Sequence, residues 1–192
     1  MQPRIITGSA KGQKLEVPKK GTRPMTDRVK SALFSMISPI IPNANVLDLY
    51  AGTGALGIEC LSRGAKSATF VDRSKYATEC IKQNLNKTGF TAIAKVIKCS
   101  ASRFLDEYET FNLEHKVYEI IFITPPHSNY KEGIIEKAEK LLKNNGIIIA
   151  EHPKTRKTSN RVVQLEKFDE RSYGKTALSF YRTTTVSSNV PA

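Results

Sequence analysis

Between residues 45 and 150 five short apolar, β-branched runs (46–50, 68–71, 94–97, 119–123 and 146–150) alternate with four amphipathic stretches (55–63, 74–88, 100–108 and 130–143). Parallel strands need long crossovers, and an amphipathic helix is the usual one. The alternation therefore predicts a mainly parallel sheet with helices on both faces. After residue 150 the pattern changes. The runs 160–167 and 176–183 have no helix between them, only residues 168–175 with Tyr173 and Gly174, which predicts an antiparallel hairpin at one edge and seven strands in all. Ahead of the first strand, Gly8, Gly12 and Pro18 punctuate alternating apolar positions, predicting a small hairpin over 3–18. Thr26 and Asp27 then open a helix near 27–38, with Asp27 at its positive end, and Pro39 and Pro42 close it. The whole chain, 1–192, reads as one α/β domain, with a hairpin-and-helix extension over 1–38 and a core over 45–183.

Composition narrows the class. With 192 residues, 40% of them hydrophobic, the chain can bury a sizeable core, and no apolar run is long enough for a bilayer. The N-terminus lacks the apolar stretch of a secretory signal, and Cys60, Cys80 and Cys99 show neither zinc spacing nor a disulfide framework. A reduced, cytoplasmic protein without a metal site is expected. Charge says more. The net charge is +12, and residues 1–30 hold eight basic against two acidic side chains, half of that excess. A second basic stretch contains Lys154, Arg156, Lys157 and Arg161. Such surfaces attract polyanions by releasing condensed counterions, so nucleic acid is the expected partner.

Two segments carry chemistry. Asp48, Gly52, Gly54 and Gly57 lie where a strand passes into a helix, and the glycines satisfy the Gly-x-Gly-x-x-Gly spacing that lets a ligand approach the backbone. Asp72 ends the next strand and can accept both hydroxyls of a ribose. A carboxylate at Asp48 would oppose a pyrophosphate and tolerate a cofactor bearing an ammonium and a sulfonium, which favours S-adenosyl-L-methionine over a dinucleotide. Tyr50, Ala51, Thr53, Arg73, Ser100 and Ala101 complete the expected cofactor site. The second segment, Thr124, Pro125, Pro126 and His127, follows the fourth parallel strand. Consecutive prolines make a rigid turn that cannot donate backbone hydrogen bonds, and its carbonyls can accept from an amine.

The glycine loop and this Pro-Pro turn together resemble the amino-methyltransferases whose motif is Asp or Asn, Pro, Pro, aromatic. More narrowly, the chain is similar to the RsmD family over residues 4 to about 182. Arg4, Gly8, Gly12, Leu15 and Pro18 resemble that family's N-terminal hairpin, the segment 22–34 its most distinctive stretch, and 173–181 its terminal hairpin. The resemblance implies a Rossmann-like class I fold, with S-adenosyl-L-methionine as cofactor. It also implies methyl transfer to N2 of a guanine in small-subunit (16S) ribosomal RNA, by a monomer acting on assembled subunits. It makes Thr124, Pro125, Pro126 and His127 the catalytic turn, and Arg4, Lys11, Lys14, Arg23, Arg28 and Lys30 the RNA contacts, with a flipped nucleotide presented to the pocket.

The sequence departs from the family at Thr124, where an acid or amide is usual, at His127, where an aromatic is usual, and at Ser100, where Asn or Asp is common. A charge-assisted hydrogen bond is worth about 1.5–3 kcal/mol against roughly 1 for a neutral one. The loss at Thr124 would thus slow transfer by about one to two orders of magnitude without forbidding it. His127 can stack on a base, and Tyr130 is near enough in sequence to substitute. Two other readings stay open: an adenine-N6 or glutamine amine methyltransferase, and a weakened, RNA-binding assembly factor that keeps the fold. A dehydrogenase is disfavoured by Asp48.

Overall fold

The computed structural model describes residues 2–18, 25–108 and 117–184. Helix α1 (Asp27–Ile37) is opened by Thr26, whose hydroxyl accepts from Val29 N at 3.5 Å. Strand β1 (Asn45–Leu49) leads into α2 (Ala55–Ser62), β2 (Ser67–Asp72), α3 (Lys75–Thr88), β3 (Ala94–Lys98), α4 (Ala101–Asp106) and β4 (Tyr118–Ile123). Then come α5 (Gly133–Glu139), β5 (Leu142–Pro153), β6 (Arg161–Val162), β7 (Leu165–Tyr173) and β8 (Thr176–Thr183). Local chemistry sets several ends: Ser74 caps α3 by accepting from Ala77 N, and Gly89 closes it in the left-handed conformation.

The strand order is β3-β2-β1-β4-β5-β8-β7-β6. The first five strands are parallel and the last three run antiparallel at the edge. Because β1 has β2 on one side and β4 on the other, strand order reverses there, and the loops after β1 and β4 border a common crevice. Alternation along each strand sorts side chains to two cores. Val46, Phe70, Phe122, Ile149 and Phe180 share one with α1, α2 and α3. Leu47, Val71, Ile121, Ile148 and Tyr181 share the other with α4 and α5.

The N-terminal segment is tied down less by strand pairing than by buried side chains. The expected hairpin amounts to a single bridge, Arg4 to Lys14. Glu59 of α2, fully buried, accepts from Ile6 N (2.7 Å), Thr7 N (3.0 Å) and Arg63 Nε (2.8 Å), with Lys30 Nζ at 3.7 Å. Gly8 lies so close to Ser62 that an added Cβ would fall 1.7 Å from its carbonyl oxygen. Ile5, Ala10 and Leu15 join the same core as α1 and α2.

Three boundaries differ from expectation. The helix expected over 130–143 is only Gly133–Glu139, and β5 starts at Leu142, because Leu141 and Leu142 are buried as core residues. The edge hairpin has a two-residue turn, Gly174 and Lys175, since β7 runs to Tyr173. Its polar sequence hid it: on an exposed edge strand few positions need to be apolar, and a register shift between Lys167 and Asp169 breaks the alternation. The two-residue β6 makes eight strands rather than seven.

Candidate active site

The chain turns sharply out of β1. Tyr50 has φ 61°, a left-handed conformation uncommon for a side chain of its size, and Gly52 and Gly54 follow at 56° and 76°. The glycine loop is then tied down: Gly54 N donates to Ala51 O (2.7 Å), Ala51 N to Val71 O (3.1 Å), and Gly52 N to Asp72 Oδ2 (2.9 Å). Thr53 is buried, and its carbonyl accepts from Asn84 Nδ2. Gly57 is needed for packing, since a Cβ there would meet the Phe70 ring at 2.4 Å. Asp72 Oδ1 accepts from Ser74 N, so this side chain joins the loop, the end of β2 and the start of α3.

These elements wall a cleft of about 140 Å³ lined by Tyr50, Val71, Asp72, Arg73, Ser100, Ala101, Ser102 and Asn129. Ser100 caps α4 by accepting from Arg103 N, and Ala101 is buried beside it. Seven of the eight lining residues belong to the expected cofactor set or lie next to one of its members. Asn129 was not anticipated from sequence. It ends a one-turn 3-10 helix, His127–Asn129, in which Asn129 N donates to Pro126 O at 2.7 Å. That contact brings the Pro-Pro turn to the rim of the cleft that the glycine loop borders. Thr124 extends the β1–β4 ladder, its backbone N and its hydroxyl both directed at Leu49 O (3.4 and 3.5 Å).

Asp48 sits under the loop rather than in the cleft. It is buried, Oδ2 accepts from Gly57 N at 3.1 Å, and Oδ1 has no partner. Burial pushes its carboxyl up to about 8. Near neutral pH it is therefore largely uncharged, so the repulsion of a pyrophosphate invoked from sequence is weaker than expected. What remains is an unpaired carboxyl oxygen under the loop, and an approaching cation would favour its ionised, accepting form. An unsatisfied acceptor there suits an ammonium better than a phosphate. Together with the Asp72 carboxylate and the apolar Val71 and Ala101, the residues fit S-adenosylmethionine.

Other expected roles are redistributed. His127 turns toward the antiparallel hairpin, where Nε2 lies 3.1 Å from Thr176 Oγ1 and 3.9 Å from Glu151 Oε1. Tyr130 cannot stand in as a stacking ring, because it is buried against His152 at 5.4 Å between ring centroids. Lys30 is not an RNA contact. Its ammonium is buried beside Glu59 and donates to the carbonyl of Arg4, and burial lowers its pKa. Arg4, Lys11, Lys14 and Arg28 are exposed, Arg4 pairing with Asp27 at 3.0 Å. Arg23 lies outside the described residues. Ser9 N donates to Ser62 O at the end of α2, just before β2 begins, so neighbouring Lys11 stands at the sheet edge opposite the cleft. Lys154, Arg156 and Lys157, also exposed, follow β5 on the edge that carries the cleft, and Lys154 N donates to Lys175 O in the β7–β8 turn. Among the described residues no cluster of His, Cys, Asp and Glu could hold a metal ion, and no helix is long and apolar enough to cross a membrane.

A family model described as Conserved hypothetical protein 95 matches residues 3–182. A putative rRNA methyltransferase of Bacillus subtilis, YlbH, is 35% identical over 183 residues, covering 93% of this chain and 98% of that one. The ribosomal RNA small subunit methyltransferase D of Escherichia coli is 38% identical over 146 residues, 76% of this chain and 69% of that one. Among solved structures, a putative methyltransferase, yhhF, from Escherichia coli superposes with a TM-score of 0.82 at 31% identity, covering 95% of this chain and 98% of that chain.

Proposed function

Because this chain belongs to the Conserved hypothetical protein 95 family, the RsmD family of S-adenosylmethionine-dependent ribosomal RNA methyltransferases, we propose that it methylates the exocyclic N2 amine of a guanine in small-subunit ribosomal RNA. The observation that carries the reading is the cleft itself: Tyr50 and Asp72, at the ends of β1 and β2, and Asn129, behind the Pro-Pro turn, line one cavity. A methyl donor held by the first group would thus lie within reach of an amine held by the second. The similarity to small-subunit methyltransferase D supports the choice of RNA, and the family resemblance supplies the guanine.

S-adenosylmethionine contributes an electrophilic methyl group carried on a sulfonium. The rest is positioning by the protein, and alignment of two reactants accounts for a large part of such a rate enhancement. Asp72 would accept the ribose hydroxyls while keeping the glycine loop in place, and Val71 and Ala101 would flank the adenine beside the Ser100 hydroxyl. Asp48 Oδ1 would answer the ammonium. At the turn, the Pro126 carbonyl is used by Asn129 N, which leaves the carbonyls of Thr124 and Pro125 to accept from the amine. Lys154, Arg156 and Lys157 would hold phosphates on the same edge, fixing register while the pocket selects the base.

The test is incubation with labelled S-adenosylmethionine and small subunits lacking the modification, followed by mapping of the labelled nucleotide. Label on a guanine amine is the expected result. Label on adenine or on a protein glutamine would redirect the reading to another planar amine, and cofactor binding without transfer would identify an RNA-binding protein that has lost the activity.

A further inference from the structure

The departure at Thr124 raises the question of where the missing carboxylate is. In the β4–β5 ladder Phe122 pairs with Ile149 and Ile123 with Ala150, so the next pair is Thr124 and Glu151. Phe122 and Ile149 face the same core, so by alternation Thr124 and Glu151 also point to one side of the sheet, at the edge that carries the cleft. The Glu151 side chain is 22% exposed. Among the described residues its carboxylate has no hydrogen-bond donor in reach: His127 Nε2, at 3.9 Å, is already met by Thr176 Oγ1 at 3.1 Å.

A carboxyl largely withdrawn from solvent, with no hydrogen-bond donor to hold it, is the kind of group that clusters where chemistry is done. Burial also raises its pKa, which makes it a better proton acceptor than an exposed glutamate. Neighbouring side chains give no structural reason for it: Ile149 precedes it on the same face, and Leu178 lies opposite on β8.

Resting on the function proposed above, we infer that Glu151 supplies from β5 the carboxylate that the Thr-Pro-Pro-His turn lacks, accepting a hydrogen bond from the target amine and taking its proton as methylation proceeds. The amine nitrogen would use its lone pair for the new bond to carbon as the methyl–sulfur bond breaks, its electron pair going to the sulfur, which leaves as a neutral thioether. One N–H bond then breaks with its electrons left on nitrogen, and the proton passes to a Glu151 oxygen and on to water. His127 is a positioning residue in this scheme: held by Thr176, it sets the turn against Glu151.

The experiment compares wild type, Glu151→Gln, and Glu151→Gln combined with Thr124→Asp, on small subunits lacking the modification. Glu151→Gln is expected to lower kcat about tenfold or more while leaving KM for subunits and cofactor affinity within about twofold. The double variant, which moves the carboxylate to the neighbouring strand, is expected to recover most of the lost rate. A merely structural role would move KM, cofactor affinity or folding and would not be rescued from β4. Undiminished kcat in Glu151→Gln, or no recovery in the double variant, overturns the inference alone. A wild type that transfers no methyl group to ribosomal RNA overturns the proposed function, and this assignment with it.

Discussion

At the residue scale the site is governed by acids in unlike surroundings. Asp72 has both oxygens supplied by backbone amides, whereas Asp48 is buried with one oxygen unanswered and Glu151 is part-buried with only the His127 ring nearby, at 3.9 Å. For Asp48 the consequence can be measured. Its carboxyl sits at about 8 in the folded protein against an ordinary 3.8, so between those values the folded state binds more protons than the unfolded one. Stability then falls as pH rises across that window, by up to about 1.4 kcal/mol per pH unit, and the loss is complete above it. Asp48→Asn keeps the shape and cannot ionise. In the cofactor-free protein it should exceed wild type in denaturant unfolding by about 1.5 kcal/mol at pH 5, where the unfolded carboxyl is already ionised, and by several kcal/mol at pH 9. Equal stability of the two proteins at pH 9 would mean that Asp48 is answered by a donor.

At the element scale, the N-terminal segment depends on Glu59. One carboxylate joins two backbone amides of that segment to Lys30 of α1 and to Arg63 after α2. Removing one partner of a buried ionic cluster costs about 3–5 kcal/mol, because the remaining charges lose their counterpart. Glu59→Gln should therefore lower Tm by roughly 10 °C. Amide exchange should rise at Ile6 and Thr7 before it does in β1 or β4. Uniform exchange across the molecule would instead make the segment part of a single cooperative unit. Nothing in the sequence marked this element pairing, since Glu59 reads there as one polar residue in an apolar helix. The buried Lys30 was likewise indistinguishable in one dimension from the exposed basic residues around it.

At the scale of the whole molecule, the positive charge of the described residues does not form one patch. Lys11 lies at the edge opposite the cleft, whereas Lys154, Arg156 and Lys157 share the cleft's edge. If those three neutralise phosphates, replacing them with alanine should reduce the slope of log K against log salt for subunit RNA by about 2–3, at roughly 0.7–0.9 per contact. Cofactor affinity, measured by calorimetry, should stay the same. An unaltered salt slope would move the RNA to another face.

How much of this could be read from the chain follows from the range of each interaction. Strand–helix alternation, the caps at Thr26 and Ser74, the glycine loop and the Pro-Pro turn are local patterns, written in neighbouring residues. They led to the mainly parallel sheet, its helical crossovers and the two loops that border the cleft. The length of β5, the inward turn of Lys30 and Tyr130, and the partner of His127 depend on pairs 22 to 49 residues apart. Only packing of β4 against β5 and of α1 against α2 decides which of several equally polar side chains is buried. Burial, in turn, decides which of them is charged and which is left without a partner.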